Sequence, residues 1–320
     1  MADALGNRAD VARYAPLQAG FKSSWHALYF NNTTSSYAGD TQTGNAMALY
    51  LDIPPTPEIK NKTLSRLVDT YVASGDKPTF GTVGARIFLP VLATMGRMDL
   101  ALGFATKRTR PSFGYMVEQG PGTIWEKWSG SKYDADGGSK NHPMFCGGMG
   151  VFLYQLAGLA SEGNTGVKPA WGLSAKRNAG VALSLDAVAV ARIGRAEAAV
   201  QTPGGVLDWS WRFLSDHLHL TVRVPHGLTK SMRIELPKKI QQRSAIRLTE
   251  QGDSRHVDAM TLWQVADIGG AVASLSTLRE NGIDDVWERG DMLVIEIRAG
   301  EYRLRLDFES NDKEDESIVL

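Results

Sequence analysis

The sequence is short of several things that would point to a function. It has one cysteine, Cys146, which excludes an internal disulfide framework and a thiolate zinc cage. It has no excess of either charge, since 35 Lys and Arg stand against 35 Asp and Glu. Nucleic acid and anionic membranes both call for a basic excess gathered on one face, so the composition gives no reason to expect either as a partner. No apolar run approaches the roughly 18 residues of a membrane span. The first ten residues are charged and lack the apolar core of a signal peptide, and the compartment stays open.

Hydrophobic residues make up 43% of the 320, enough to fill cores, and at roughly 150 residues per domain the length suggests two. Up to about residue 160 the apolar spacing is helical. Leu5, Val11, Tyr14, Leu17, Phe21, Trp25 and Leu28 carry the helical period from the first residues, so the chain reads as starting inside an amphipathic helix. Thr56-Pro57 predicts an N-cap with proline at the first helical position, followed by a stripe through Ile59, Thr63, Leu67 and Tyr71 that ends at Gly75 and Pro78. Further helices are expected over about 83–95, 99–107 and from near His142 to Leu159, joined by short links into antiparallel hairpins.

After about residue 163 the period falls to two. Leu218, Leu220, Val222 and Val224 alternate with polar residues, as do Met232, Ile234, Leu236 and then Leu304, Leu306, Phe308. Turn signals such as Pro225-His226-Gly227 separate these strands, which suits an antiparallel sandwich. The expected division is a helical part over 1–162, a β-sandwich over 163–310 and an acidic, disordered tail over 311–320.

The densest cluster of unusual residues lies in the segment from Arg110 to Phe145, read as irregular. Trp125 and Trp128 bracket Glu126, and aromatic faces beside a carboxylate suit a sugar ring, whose C–H face stacks while the carboxylate handles a proton. Glycines 114, 120 and 122 permit tight turns near a ligand, and Asn141 and His142 can exchange hydrogen bonds with hydroxyls. A packed loop with a surface glutamate has the same spacing, so the residues alone leave both readings open.

The blocks Pro111-Ser112-Phe113-Gly114-Tyr115-Met116, Thr123-Ile124-Trp125-Glu126-Lys127-Trp128 and Asn141-His142-Pro143-Met144-Phe145 closely resemble, in order, the late part of the catalytic domain of bacterial-type α-L-rhamnosidases, glycoside hydrolase family 78. Upstream, Gln42-Thr43-Gly44-Asn45 and Gly81-Thr82-Val83-Gly84 resemble earlier blocks, and 196–236 with Ala299-Gly300-Glu301-Tyr302 resembles the C-terminal sandwich. The resemblance implies a multidomain α and β protein: part of an (α/α)6 six-hairpin barrel followed by an antiparallel β-sandwich. It implies release of terminal α-L-rhamnose from glycosides or polysaccharides with inversion, without cofactor or metal. In that chemistry an acid protonates the leaving oxygen while a carboxylate about 6.5–9.5 Å away activates water. By resemblance Glu126 is the general base, and Trp125, Trp128, His142, Asn141 and Tyr115 bind the sugar.

The family's general acid sits upstream in a block rich in Asp, Glu and Arg, and no such block occurs here. The expectation is therefore a C-terminal portion of such an enzyme, weakly active or inactive alone and poorly soluble because barrel helices lose their neighbours. The rival reading is a non-catalytic carbohydrate-binding or scaffold protein derived from one. Other features read as structural: His217 and His219 share a strand face without a third metal ligand, Asp134 to Gly138 is an ordinary loop despite its likeness to the start of a calcium loop, and Gly147-Gly148-Met149-Gly150 serves tight helix packing. Cys146 reads as a buried small hydrophobe, and the Asn-x-Thr triplets at Asn31, Asn32 and Asn61 matter only in a secreted protein.

Overall fold

The structure is a computed structural model that describes residues 2, 6–120, 122–130, 138–161, 181–202, 204–215, 217–228, 232–237, 243–251, 260–264, 275–290 and 292–308. Its contacts divide the chain into two units, Met1–Leu156 with Ser161–Lys176, and Ala157–Ala160 with Arg177–Leu320. The segment 131–137, which holds most of the calcium-loop-like stretch, and the tail 311–320 lie outside the described residues.

The first unit is helical. Helix α1 (Arg8–Tyr29) does not start at the first residue as the periodicity suggests: Gly6 turns the chain with φ +69° and the Asn7 side chain accepts the Asp10 N–H, capping the helix there. A short hairpin of β1 (Phe30–Asn31) and β2 (Ser36–Tyr37) follows, then α2 (Gln42–Tyr50). Helix α3 (Pro57–Ala73) begins at the expected cap, with Thr56 Oγ1 accepting the Ile59 N–H, and buries Thr63, Leu67 and Tyr71 along one stripe. Helices α4 (Thr82–Thr94) and α5 (Met98–Thr106) meet at Gly96, whose φ of +77° stops α4.

The segment expected to be irregular contains α6 (Phe113–Gln119), which escaped the periodicity because seven residues hold barely two turns; Ser112 caps it by accepting the Tyr115 N–H. Helix α7 (Gly147–Leu156) follows a single 3-10 turn at Pro143–Cys146. The core between these helices is aromatic. Phe88 packs 4.7 Å from Phe80 and 5.9 Å from Phe104, and Tyr71 lies 5.2 Å from Phe88, measured between ring centroids.

The second unit holds two sheets. Six strands pair in the order β10 (Met260–Gln264), β9 (Arg243–Gln251), β13 (Gly300–Phe308), β7 (His217–Val224), β6 (Gly205–Phe213) and β5 (Arg195–Thr202). Five more pair as β11 (Ile283–Arg289), β12 (Met292–Ile297), β8 (Met232–Pro237), β4 (Val181–Ser184) and β3 (Leu159–Ser161). The described pairings are antiparallel except β4 with β8, which run parallel, a departure from the purely antiparallel expectation. That pairing is possible because the chain between β4 and β8 passes through the other sheet. One face of the larger sheet is apolar, with Trp209, Trp211, Leu220, Val222, Tyr302 and Leu304 all buried. Both indole N–H groups of Trp209 and Trp211 donate to Ala157 O, at 2.7 and 3.0 Å, so neither is buried without a partner. Two short helices, α8 (Ala187–Ile193) and α9 (Leu275–Glu280), decorate this unit.

Candidate active site

The site is built from the end of α6 and two extended stretches. Glu126 donates its N–H to Ser139 O at 2.9 Å and His142 donates its N–H to Ile124 O at 2.8 Å, so 124–126 and 139–142 lie side by side. Thr123 Oγ1 adds a bond to Lys140 O. Extended chain turns successive side chains to opposite sides. Trp125 accordingly goes inward, fully buried, with its ring 6.0 Å from that of Tyr115 and its backbone N–H 3.4 Å from Met116 Sδ. Glu126 turns to solvent.

The Glu126 carboxylate is not loose. Its Oε2 accepts the Ser139 N–H at 3.0 Å, and among the described residues Oε1 has no partner, which leaves one oxygen able to take a proton from water. Gly138 makes room for it: with φ +72°, a Cβ there would fall 2.8 Å from Oε2. Gly120 does the same for Trp125, because a Cβ would fall 2.7 Å from Nε1. Of the three glycines expected to turn the chain beside a ligand, only Gly122 has a positive φ, +85°; Gly114 faces Lys107 O and Gly120 faces the indole, so packing is what they serve.

Two buried polar atoms in these stretches have no partner among the described residues, Trp125 Nε1 and His142 Nδ1. The His142 ring sits edge-on to Phe145 at 5.4 Å. Asn141 is exposed, and its backbone N–H donates to Ser139 Oγ at 3.1 Å. Tyr115 is half-buried, with the Arg110 guanidinium 5.9 Å above its ring, and the Lys140 ammonium lies 4.2 Å from the Trp125 ring centre. Tyr115, Trp125, Glu126, Asn141 and His142 thus share one neighbourhood. Trp128 is anchored elsewhere: Phe80, Phe104, Phe113 and Phe145 surround its ring at 5.1–5.6 Å, and its N–H donates to Phe80 O at 2.7 Å. Its contacts tie the loop to the aromatic core. Cys146, expected to be buried, is half-buried and donates to Pro143 O at 3.0 Å, because the 3-10 turn places it at the helix start.

Ser139, Lys140 and Gly138 were not singled out by sequence, because their contributions come from a backbone N–H, a ring contact and a missing side chain, none of which leaves a motif. Elsewhere in the unit Asp40 accepts from Arg66 and, at 3.1 Å, from Asn45; partial burial opposes its ionisation, but these bonds outweigh that and hold its carboxyl below the usual range. Among the described residues no cluster of three or more His, Cys, Asp or Glu could hold a metal ion.

The first unit is thus built of helices and the second of two sheets, with an exposed glutamate next to the buried Trp125. A family model of the bacterial alpha-L-rhamnosidase 6 hairpin glycosidase domain matches residues 1–157, and one of the bacterial alpha-L-rhamnosidase C-terminal domain matches residues 182–248. The chain belongs to the bacterial α-L-rhamnosidase family. It is 28% identical over 227 residues to an α-L-rhamnosidase of Alteromonas sp. (strain LOR), covering 70% of this chain and 24% of that protein. It is likewise 28% identical over 240 residues to one of Formosa agariphila, covering 73% and 24%. The chain therefore spans about a quarter of the length of these relatives. Its fold is similar to the α-L-rhamnosidase structure from Dictyoglumus thermophilum, with TM-score 0.68, 22% identity, and 96% of this chain and 30% of that one covered. The Streptomyces avermitilis α-L-rhamnosidase complexed with L-rhamnose follows at TM-score 0.63 and 22% identity, with 95% and 25% covered.

Proposed function

We propose that this chain carries the general-base half of an inverting α-L-rhamnosidase site, with Glu126 as the base and a terminal α-L-rhamnosyl residue of a glycoside or polysaccharide as substrate. The observation that carries the reading is the Glu126 carboxylate itself: solvent-facing, held by one backbone N–H at 3.0 Å, with its second oxygen unpartnered among the described residues. A base needs that combination of fixed position and open lone pair to draw a proton from water. In this reading Tyr115, Asn141 and His142 line the sugar subsite, with the unpartnered His142 Nδ1 as a polar atom for a sugar hydroxyl, while Trp125 and Trp128 support it from the interior. The general acid is supplied by residues outside these 320, since no Asp, Glu and Arg-rich block of the family's kind occurs in them.

The test follows from that division of labour. A dinitrophenyl α-L-rhamnoside has a leaving group that needs no proton, so the chain should cleave it while leaving an alkyl rhamnoside nearly untouched. Glu126→Gln should lower the first rate by about a hundredfold or more, the usual contribution of a general base. Proton NMR of the first product should show β-L-rhamnose, because water attacks from the face opposite the leaving group. Initial release of the α anomer would sink the inverting mechanism. Cleavage of the alkyl rhamnoside at an undiminished rate would sink the missing acid. Binding of rhamnose with no turnover of either substrate would favour the carbohydrate-binding alternative.

A further inference from the structure

The polar side of the six-stranded sheet carries a row of basic residues in register. Arg195 on β5 pairs with Arg212 on β6, Arg212 with His219 on β7, and His219 with Arg305 on β13. Directly opposed residues share a face, and with strands about 4.8 Å apart the row runs about 14 Å across the sheet. Alternation fixes the direction it faces, because the neighbouring residues Trp211, Leu220 and Leu304 are buried on the other side. The adjacent row is Glu197, Ser210, Thr221 and Arg303. Arg195, Glu197, Ser210, Arg212, His219 and Thr221 line a groove of about 510 Å³.

The charge in this groove is unevenly compensated. Further along the same strands Arg223 is neutralised by Asp208 at 3.7 Å and Glu301 at 3.2 Å. Arg195 and Arg212, by contrast, form no ion pair with any of the described residues, although like charges directly opposite one another destabilise a sheet. Two guanidinium forks side by side match planar or tetrahedral anions such as carboxylate and sulfate. The hydroxyls of Ser210 and Thr221 and the carboxylate of Glu197 beside them match a different chemistry, that of neutral hydroxyls.

We propose that this face of the β domain binds an acidic saccharide chain, one bearing uronate carboxylates or sulfate esters among free hydroxyls, and holds a polymeric substrate by it. The choice of a saccharide over other polyanions rests on the glycosidase reading of the chain; the groove's charge and geometry do not. Calorimetry on the full 320-residue chain, titrated with oligogalacturonate, with dextran sulfate and with neutral dextran, tests it. Binding of one or both acidic polymers is expected, which identifies the anion, with none for neutral dextran. Arg195→Gln with Arg212→Gln should weaken that binding by about tenfold, while Glu197→Gln, which removes the groove's acid, should tighten it by about twofold. Thermal melts of each variant report whether the fold survives; where the double variant fails to fold, Glu197→Gln decides alone. Equal binding of neutral dextran, unchanged binding by a folded double variant, unchanged or weaker binding by Glu197→Gln, or tighter binding of single-stranded DNA than of either acidic polymer would each overturn the proposal. Glu126→Gln should leave this binding intact, so a failure here and a failure of the rhamnosidase reading are read from different measurements.

Discussion

At the scale of single residues, the neighbourhood of Glu126 is held in a form the fold alone does not explain. An unpartnered buried polar atom costs about 1–3 kcal/mol, and Trp125 Nε1 and His142 Nδ1 are both in that state among the described residues. If a sugar hydroxyl is the intended partner of His142 Nδ1, His142→Phe should leave the melting temperature level or raise it, yet weaken rhamnose binding by about tenfold in calorimetry. A purely structural histidine would instead show a large loss of stability with no selective loss of binding. Gly138→Ala should strain a backbone at φ +72° and crowd Oε2, lowering turnover of an activated rhamnoside with little change in KM. Asp40 gives a pH signature. Its carboxyl titrates below the usual value, so its pairing with Arg66 stabilises the protein above about pH 4 and is lost as the pH falls through the depressed value. Asp40→Asn should flatten the acid limb of the stability curve, measured by urea midpoints from pH 3 to 6, and leave the slope at neutral pH alone.

Elements raise different questions, because what counts is which faces meet. Gly148, near the start of α7, packs so close to α4 that a Cβ would fall 2.4 Å from Arg86 O. Backbone cannot move aside as a flexible side chain can, so Gly148→Ala should cost about 1–3 kcal/mol, read as a shift of the denaturant midpoint. The glycine run is legible in sequence as a packing feature, but which helix it touches is not. Helix α1 shows the opposite case. It has the helical period that the sequence displays, yet none of its residues is buried, and Leu17 and Leu28 are 62% and 75% exposed. Among the described residues its C-terminal half engages the unit, where Lys22 pairs with Asp52 at 3.2 Å and Trp25 stacks on Tyr37 at 5.4 Å. A period shows that a stripe exists; it does not show that anything within the chain covers it.

For the whole molecule that stripe has a consequence. Tyr14, Leu17 and Phe21 lie one turn apart and exposed on α1, a patch that favours self-association at high concentration. Light scattering should show the chain associating as its concentration rises, and Leu17→Ser with Phe21→Ser should suppress this without lowering the melting temperature, because neither side chain is buried. A monodisperse wild type at every concentration would count against it. Sequence by itself determined the local features: the cap at Thr56, the stops at Gly75 and Gly96, and the strands with one wet face. These are local, set by neighbours a few residues away, and so are written in order along the chain. It also marked Trp125, Glu126 and His142 through the order of their blocks. Only the tertiary structure decided that Trp125 is buried while Glu126 faces water, that Trp128 belongs to the aromatic core, and that four basic residues from four strands stand in one row. Each of those depends on which distant segment lies alongside, through a hydrogen-bond register or a packed face, and residues brought together in that way leave no spacing in the sequence to be read.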